Sequence, residues 1–78
     1  MDVGVYSTPT CPYCKMVKEY LISKGINFLE HDVSEDKTAL DEMVKVSGQM
    51  GVPVITVGEE VVIGFDKAKI NRLLEIQG

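Results

Sequence analysis

Apolar positions along this chain switch between a sheet-like and a helix-like spacing. Val3-Gly-Val-Tyr6 is a short run of β-branched and aromatic residues, apolar enough to be buried on both faces. It predicts a strand over Val3–Ser7, which Thr8-Pro9-Thr10 breaks. From Cys14 onward Val17, Leu21 and Ile22, with Tyr20, recur at helical spacing. Lys15, Lys18 and Lys24 lie mostly off that face, and Lys18 reads as solvated. Gly25 follows as a C-cap. Asn27 to Val33 predicts a second strand, with Phe28 and Val33 its clearest apolar residues.

Ser34 is the expected N-cap of a second helix, with Glu35 and Asp36 in its first turn. Ala39, Leu40, Met43, Val44 and Ser47 form its stripe, and Gly48 ends it. Val52-Pro53 opens a third strand, Val54-Ile-Thr-Val57. Gly58-Glu59-Glu60 reads as a tight turn and Val61-Val62-Ile63 as the returning strand. Gly64-Phe65-Asp66 leads into a last helix capped by Asp66, with Ile70, Leu73, Leu74 and Gln77 on its packed face. The order is βαβαββα. The first βαβ unit should pair its strands in parallel and the hairpin strands in antiparallel. A four-stranded mixed sheet with helices on both faces uses every element.

Composition narrows the class. Seventy-eight residues, 45% of them hydrophobic, suit one domain spanning 1–78. The net charge of -4, with one Arg and no basic stripe, argues against a nucleic-acid partner. No apolar stretch approaches membrane-span length, and no N-terminal segment has the makeup of a signal peptide. Two cysteines are too few for a disulfide-stapled secreted scaffold. The expectation is a cytoplasmic monomer whose cysteine pair cycles.

The chemistry lies in those two cysteines, Cys11-Pro12-Tyr13-Cys14, a C-x-x-C at a strand-to-helix junction. Residues three apart share one face of a helical turn, so the two sulfurs can meet. Pro12 sits where a first-turn proline is tolerated, because its missing N–H has no helical partner. The first sulfur lies at the helix N-terminus, where unpaired N–H groups and the dipole favour an anion. A thiolate is the species that attacks disulfides. Tyr13, between the cysteines, is a candidate contact for a partner. Metal binding is the rival reading, but tetrahedral zinc takes four ligands. Cys11, Cys14 and His31 are the candidates in one chain, and His31 is expected at the far end of a strand. A metal or iron–sulfur site would therefore have to bridge two chains.

Thr10-Cys-Pro-Tyr-Cys14 resembles the glutaredoxin active site. Ser47-Gly48 followed by Val52-Pro53, and Val61 to Asp66, resemble that family's later segments, so the likeness covers essentially the whole chain. The pattern is similar to short glutaredoxin-like proteins of the YruB and NrdH types. The resemblance implies a thioredoxin fold with sheet order 2-1-3-4 flanked by three helices, and a cis peptide before Pro53. It implies dithiol–disulfide oxidoreductase activity with no bound cofactor, on protein or small disulfides. Cys11 and Cys14 would be catalytic. Pro12, Tyr13, Thr8, Gln49, Val52, Pro53, Gly64, Phe65 and Asp66 would bind substrate. The Val52 backbone would pair with an extended thiol substrate as an added strand.

Two departures bear on the reductant, which is either glutathione or a flavoprotein of the thioredoxin reductase type. Typical glutaredoxins carry a Lys three positions before the first active-site cysteine, and Thr8 stands there in this chain. They carry two acids at the start of the last helix, and this chain has Asp66-Lys67. Gly64-Phe65 is closer to NrdH-type redoxins, which resemble glutaredoxins in sequence but are reduced by thioredoxin reductase.

Overall fold

A computed structural model describes residues 2–75. β1 (Val3–Ser7) is buried along its whole length, as an apolar run flanked on both faces must be. It sits between two partners. β2 (Leu29–Asp32) pairs with it in parallel, Tyr6 opposite His31. β3 (Val54–Val57) pairs with it in antiparallel, Tyr6 opposite Val54, and β4 (Glu60–Ile63) returns antiparallel to β3. The sheet order is β2-β1-β3-β4, the expected 2-1-3-4.

The period-two alternation of the strands sorts the core onto two faces. Val3, Val5, Ile55, Val57 and Val62 face α1 (Pro12–Ser23) and α3 (Lys67–Leu74), packing with Val17, Leu21 and Ile70. Tyr6 and Val54 face α2 (Lys37–Ser47), packing with Val33, Ala39 and Met43. Three helices thus cover the sheet from both sides, and β1, β3 and β4 contribute to both layers through alternate residues, whereas β2 is an edge strand outside both clusters.

Several boundaries move. β2 spans Leu29–Asp32, short of the expected Asn27–Val33. At its start, Ile26 N–H donates to Leu21 O and keeps the chain tied to the end of α1. Phe28 still packs on the first core, and Val33 N–H still donates to Ser7 O, so both apolar residues bury outside the strand. The N-cap of α2 is Asp36 in place of Ser34: its carboxylate accepts from Ala39 N–H at 3.1 Å. Ser34 is drawn the other way, its N–H donating to Asp32 Oδ1 at 2.9 Å in an Asx turn. Glu35 and Asp36 therefore precede the helix. Ile22 is exposed, because Cys14, Val17 and Leu21 set the packed face of α1 and Ile22 lies one position round from it. Lys24 caps α1 and Gly25 follows it. Glu60 joins β4 opposite Val57, leaving Gly58-Glu59 as the hairpin loop. Gly48 ends α2 as expected, in the left-handed region at φ 74, with its N–H on Val44 O. Gln77 lies outside the described residues.

Candidate functional site

The cysteines sit where β1 hands over to α1. Cys11 is the N-cap of α1, with extended backbone, and Pro12 takes the first helical position. The Cys11 sulfur accepts from Cys14 N–H at 3.2 Å, the geometry of a capping side chain. Both thiols are free. Cys11 is half-buried, whereas Cys14 has no exposed surface and packs beneath it. Pro12 is exposed, and Tyr13 is 62% exposed beside the first sulfur. Burial pushes the Cys14 thiol up from 9.0 to about 11, with its hydrogen bond to Cys11 adding to the rise. The Thr8 backbone amide and the charge of Lys18 pull it down.

The opposite wall comes from the loop before β3. Cys11 Sγ lies 3.9 Å from Val52 O, within reach of a thiol donor. The Val52–Pro53 peptide is cis, as the resemblance implies, and Pro53 is buried. Gly64 N–H donates to Pro53 O at 2.9 Å, tying the end of β4 to this wall. Gly64 takes φ 76, which lets the chain turn into α3. Thr8, Cys11, Cys14 and Val52 are thus brought together, with Pro53 and Gly64 directly behind.

The remaining expected residues lie to the sides and already have partners. The side-chain amide of Gln49 donates to Gly51 O at 3.4 Å, and its N–H donates to Ser47 Oγ, so its bonds order its own loop. Asp66 caps α3, accepting from Lys69 N–H at 3.2 Å. Phe65 meets the Tyr20 ring edge-on at 5.8 Å. Lys67 Nζ rests 5.0 Å over the same ring, and Tyr20 OH bonds Asn71 Oδ1. Tyr20 therefore clamps the start of α3 to α1. The helical spacing marks Tyr20 as part of a packed face but gives no hint of this clamp, whose partners are some fifty residues away.

His31 departs from its expected place. β1 and β2 run parallel, so the end of β2 lies at the cysteine end of the sheet. Its ring stacks on Tyr6 at 4.7 Å. Among the described residues, no three His, Cys, Asp or Glu gather where they could hold a metal ion. No helix is long and apolar enough to cross a membrane among those residues.

Known proteins share this arrangement. A family model described as Glutaredoxin matches residues 3–62. The chain belongs to the glutaredoxin family. Glutaredoxins are thiol–disulfide oxidoreductases and need no tightly bound cofactor. A glutaredoxin-like 8.6 kDa protein of the rubredoxin operon of Clostridium pasteurianum is 48% identical over 73 residues, covering 94% of this chain and 97% of that one. A mutant of the thioredoxin-like protein BC3987 superposes with TM-score 0.93 at 33% identity, covering 97% of each chain. The glutaredoxin-like protein NrdH-redoxin from Escherichia coli, which has a thioredoxin-like activity profile, superposes with TM-score 0.82 at 27% identity, covering 94% of this chain and 95% of that one. The thioredoxin fold inferred from the sequence is the fold of these neighbours.

Proposed function

We propose that residues 1–78 act as a small dithiol reductase of protein or low-molecular-weight disulfides, with Cys11 as the attacking thiol and Cys14 as the resolving one. The observation that carries this is the asymmetry of the pair: a reachable sulfur capping α1 and a fully buried sulfur beneath it. Cys11 attacks a substrate disulfide, forming a mixed disulfide and expelling one substrate thiolate. Cys14 then attacks Cys11 Sγ, the mixed disulfide breaks, and the second substrate sulfur leaves with the electron pair. The protein ends oxidised by two electrons and needs an external reductant. Val52 O beside Cys11 supports pairing of an extended substrate with that backbone. Tyr13, exposed between the two thiols, supplies an aromatic surface to the partner. A reducing cytoplasm suits a pair that must be returned to the dithiol.

For the reductant, a flavoprotein of the thioredoxin reductase type is favoured over glutathione. Glutathione carries a carboxylate at each end, and its recognition asks for donors at both ends of a groove. Thr8 offers a hydroxyl where a cation is usual, and Lys67 is engaged with Tyr20. The structural likeness to NrdH-redoxin points the same way. The test supplies NADPH to the oxidised protein with either thioredoxin reductase or glutathione plus glutathione reductase. Faster reduction through thioredoxin reductase is expected. Preferential reduction through glutathione overturns the assignment of the reductant.

A further inference from the structure

The buried thiol poses a problem for the second half of the reaction. Cys14 must lose its proton to attack, yet it has no exposed surface, and burial makes it a weak acid. Among the described residues, the side chains acting on it are Cys11, the N-cap of α1, and Lys18 on α1, and the backbone of Thr8 acts from the preceding loop. Once Cys11 is tied up in a mixed disulfide it can no longer share a proton with Cys14. Burial then stands against the Thr8 amide and the Lys18 charge alone.

Lys18 is placed for this. It lies one helical turn beyond Cys14, on the same face of α1. Its side chain is only 22% exposed, and Nζ reaches Glu30 Oε1 at 2.6 Å. Glu30 stands on β2 opposite Val5, the central strand residue packed beneath α1. The ion pair therefore ties the ammonium across from α1 to β2 at the protein surface, with the Lys18 side chain partly covered. The lysine read from the sequence as solvated is partly covered and ion-paired.

Building on the dithiol reading above, we propose that Lys18, held by Glu30, is a positioning residue for the resolving step, its ammonium supporting the Cys14 sulfur as it becomes a thiolate and attacks the Cys11 mixed disulfide. The step balances without another reactant. The Cys14–Cys11 bond forms, the Cys11–substrate bond breaks, and the proton that Cys14 gave up goes to solvent, or to the departing substrate thiolate where that thiolate is basic enough to take it. Glu30 has a double effect: it fixes the ammonium and also neutralises part of its charge.

That double effect separates electrostatic support from simple fastening of α1 to β2. The reduced protein is mixed with an aromatic disulfide, dithiobis-nitrobenzoate, whose thiolate is coloured. One thiolate is released as Cys11 forms the adduct and a second as Cys14 resolves it. Lys18→Met should slow the second release by about three- to tenfold near neutral pH and move its pH profile upward by about half to one unit. Lys18→Arg, which keeps the charge, should restore the wild-type profile. Glu30→Gln keeps an amide oxygen that can hold the ammonium but removes the neutralising charge, so its second release should equal or exceed the wild-type rate. Wild-type resolution in Lys18→Met overturns the proposal. Equal slowing in Lys18→Met and Glu30→Gln also overturns it, because a fastening role predicts that pattern. Absence of the first release from every protein, wild type included, would instead overturn the reading of Cys11 as attacking thiol, and this inference with it.

Discussion

Three helices begin with the same bond, but not with the same atom. Asp36 at α2 and Asp66 at α3 each accept from the backbone N–H three residues on, at 3.1 and 3.2 Å. At α1 the Cys11 sulfur takes that place, 3.2 Å from Cys14 N–H. A carboxylate is the ordinary solution at a helix start, because an anion complements the unpaired N–H groups and the dipole. At α1 a sulfur occupies the anion's position. The cap that merely secures α2 and α3 is, at α1, the atom we propose to react. A protonated sulfur is a weak acceptor, so α1 gives up some capping strength to hold a group that performs best as an anion.

The largest expected effect comes from changing that atom alone. Cys11→Ser keeps a good capping oxygen while removing the proposed nucleophile. Disulfide reduction should vanish while the unfolding free energy from chemical denaturation stays within about 0.5 kcal/mol of wild type. Cys14→Ser should retain attack and accumulate mixed disulfides on Cys11, visible as mass adducts. Adducts forming in the Cys11 variant and not in the Cys14 variant would reverse the two roles.

Next come the ordinary caps. Asp36→Ala and Asp66→Ala should each cost about 1 kcal/mol in chemical denaturation, the usual cost of a lost capping oxygen. Cys11→Ala should cost clearly less, because a thiol sulfur is a weak acceptor. A loss at Cys11 as large as at the two aspartates would show that sulfur and carboxylate cap equally well, and the contrast between the helices would fail.

The same contrast shows what was legible in the sequence. The cysteine spacing, Pro12 and the break after Ser7 fix the start of α1, because each acts locally. The strands follow from the apolar runs, and their order from the resemblance alone. Local rules failed where two short polar residues competed. Ser34 and Asp36 are both good caps, and Asp32, a strand-end residue, settled the matter by binding Ser34. Long-range partners were also hidden. Lys18 meets Glu30 across twelve residues, and Lys67 meets Tyr20 across forty-seven, beyond any helical i to i+4 pattern. Asp66 was legible as a cap because that role is local.

Depth gives a third way to sharpen the comparison, this time between the two sulfurs. Cys14 has a folded-state pKa of about 11 against an ordinary 9.0, because burial disfavours its anion. In the unfolded chain it ionises near the lower value and in the folded chain only near the higher one. Its contribution to stability is therefore full below about pH 9 and is lost as pH rises toward 11. Reduced wild-type protein should lose stability across this window more steeply than Cys14→Ala. Parallel curves for the two proteins would show that Cys14 does not carry the linkage.

The smallest effect concerns the charge beside the sulfur cap. A cation near a helix N-terminus is unfavourable, and Lys67 opens α3 with its ammonium resting over the Tyr20 ring. Thr8, just before α1, offers the dipole no such conflict and offers an anionic ligand no charge. Thr8→Lys would place an ammonium there, in solvent, where an ion pair is worth at most about 1 kcal/mol. Glutathione-coupled turnover should therefore rise by about two- to fivefold, while stability falls by a few tenths of a kcal/mol at most. Added salt should erase the gain, since exposed charges are screened. Unchanged glutathione-coupled turnover in Thr8→Lys would show that charge beside α1 does not limit glutathione use. The engagement of Lys67 with Tyr20 at the start of α3 would then be the feature to alter, and Tyr20→Leu, which frees that ammonium, would be the next variant to assay.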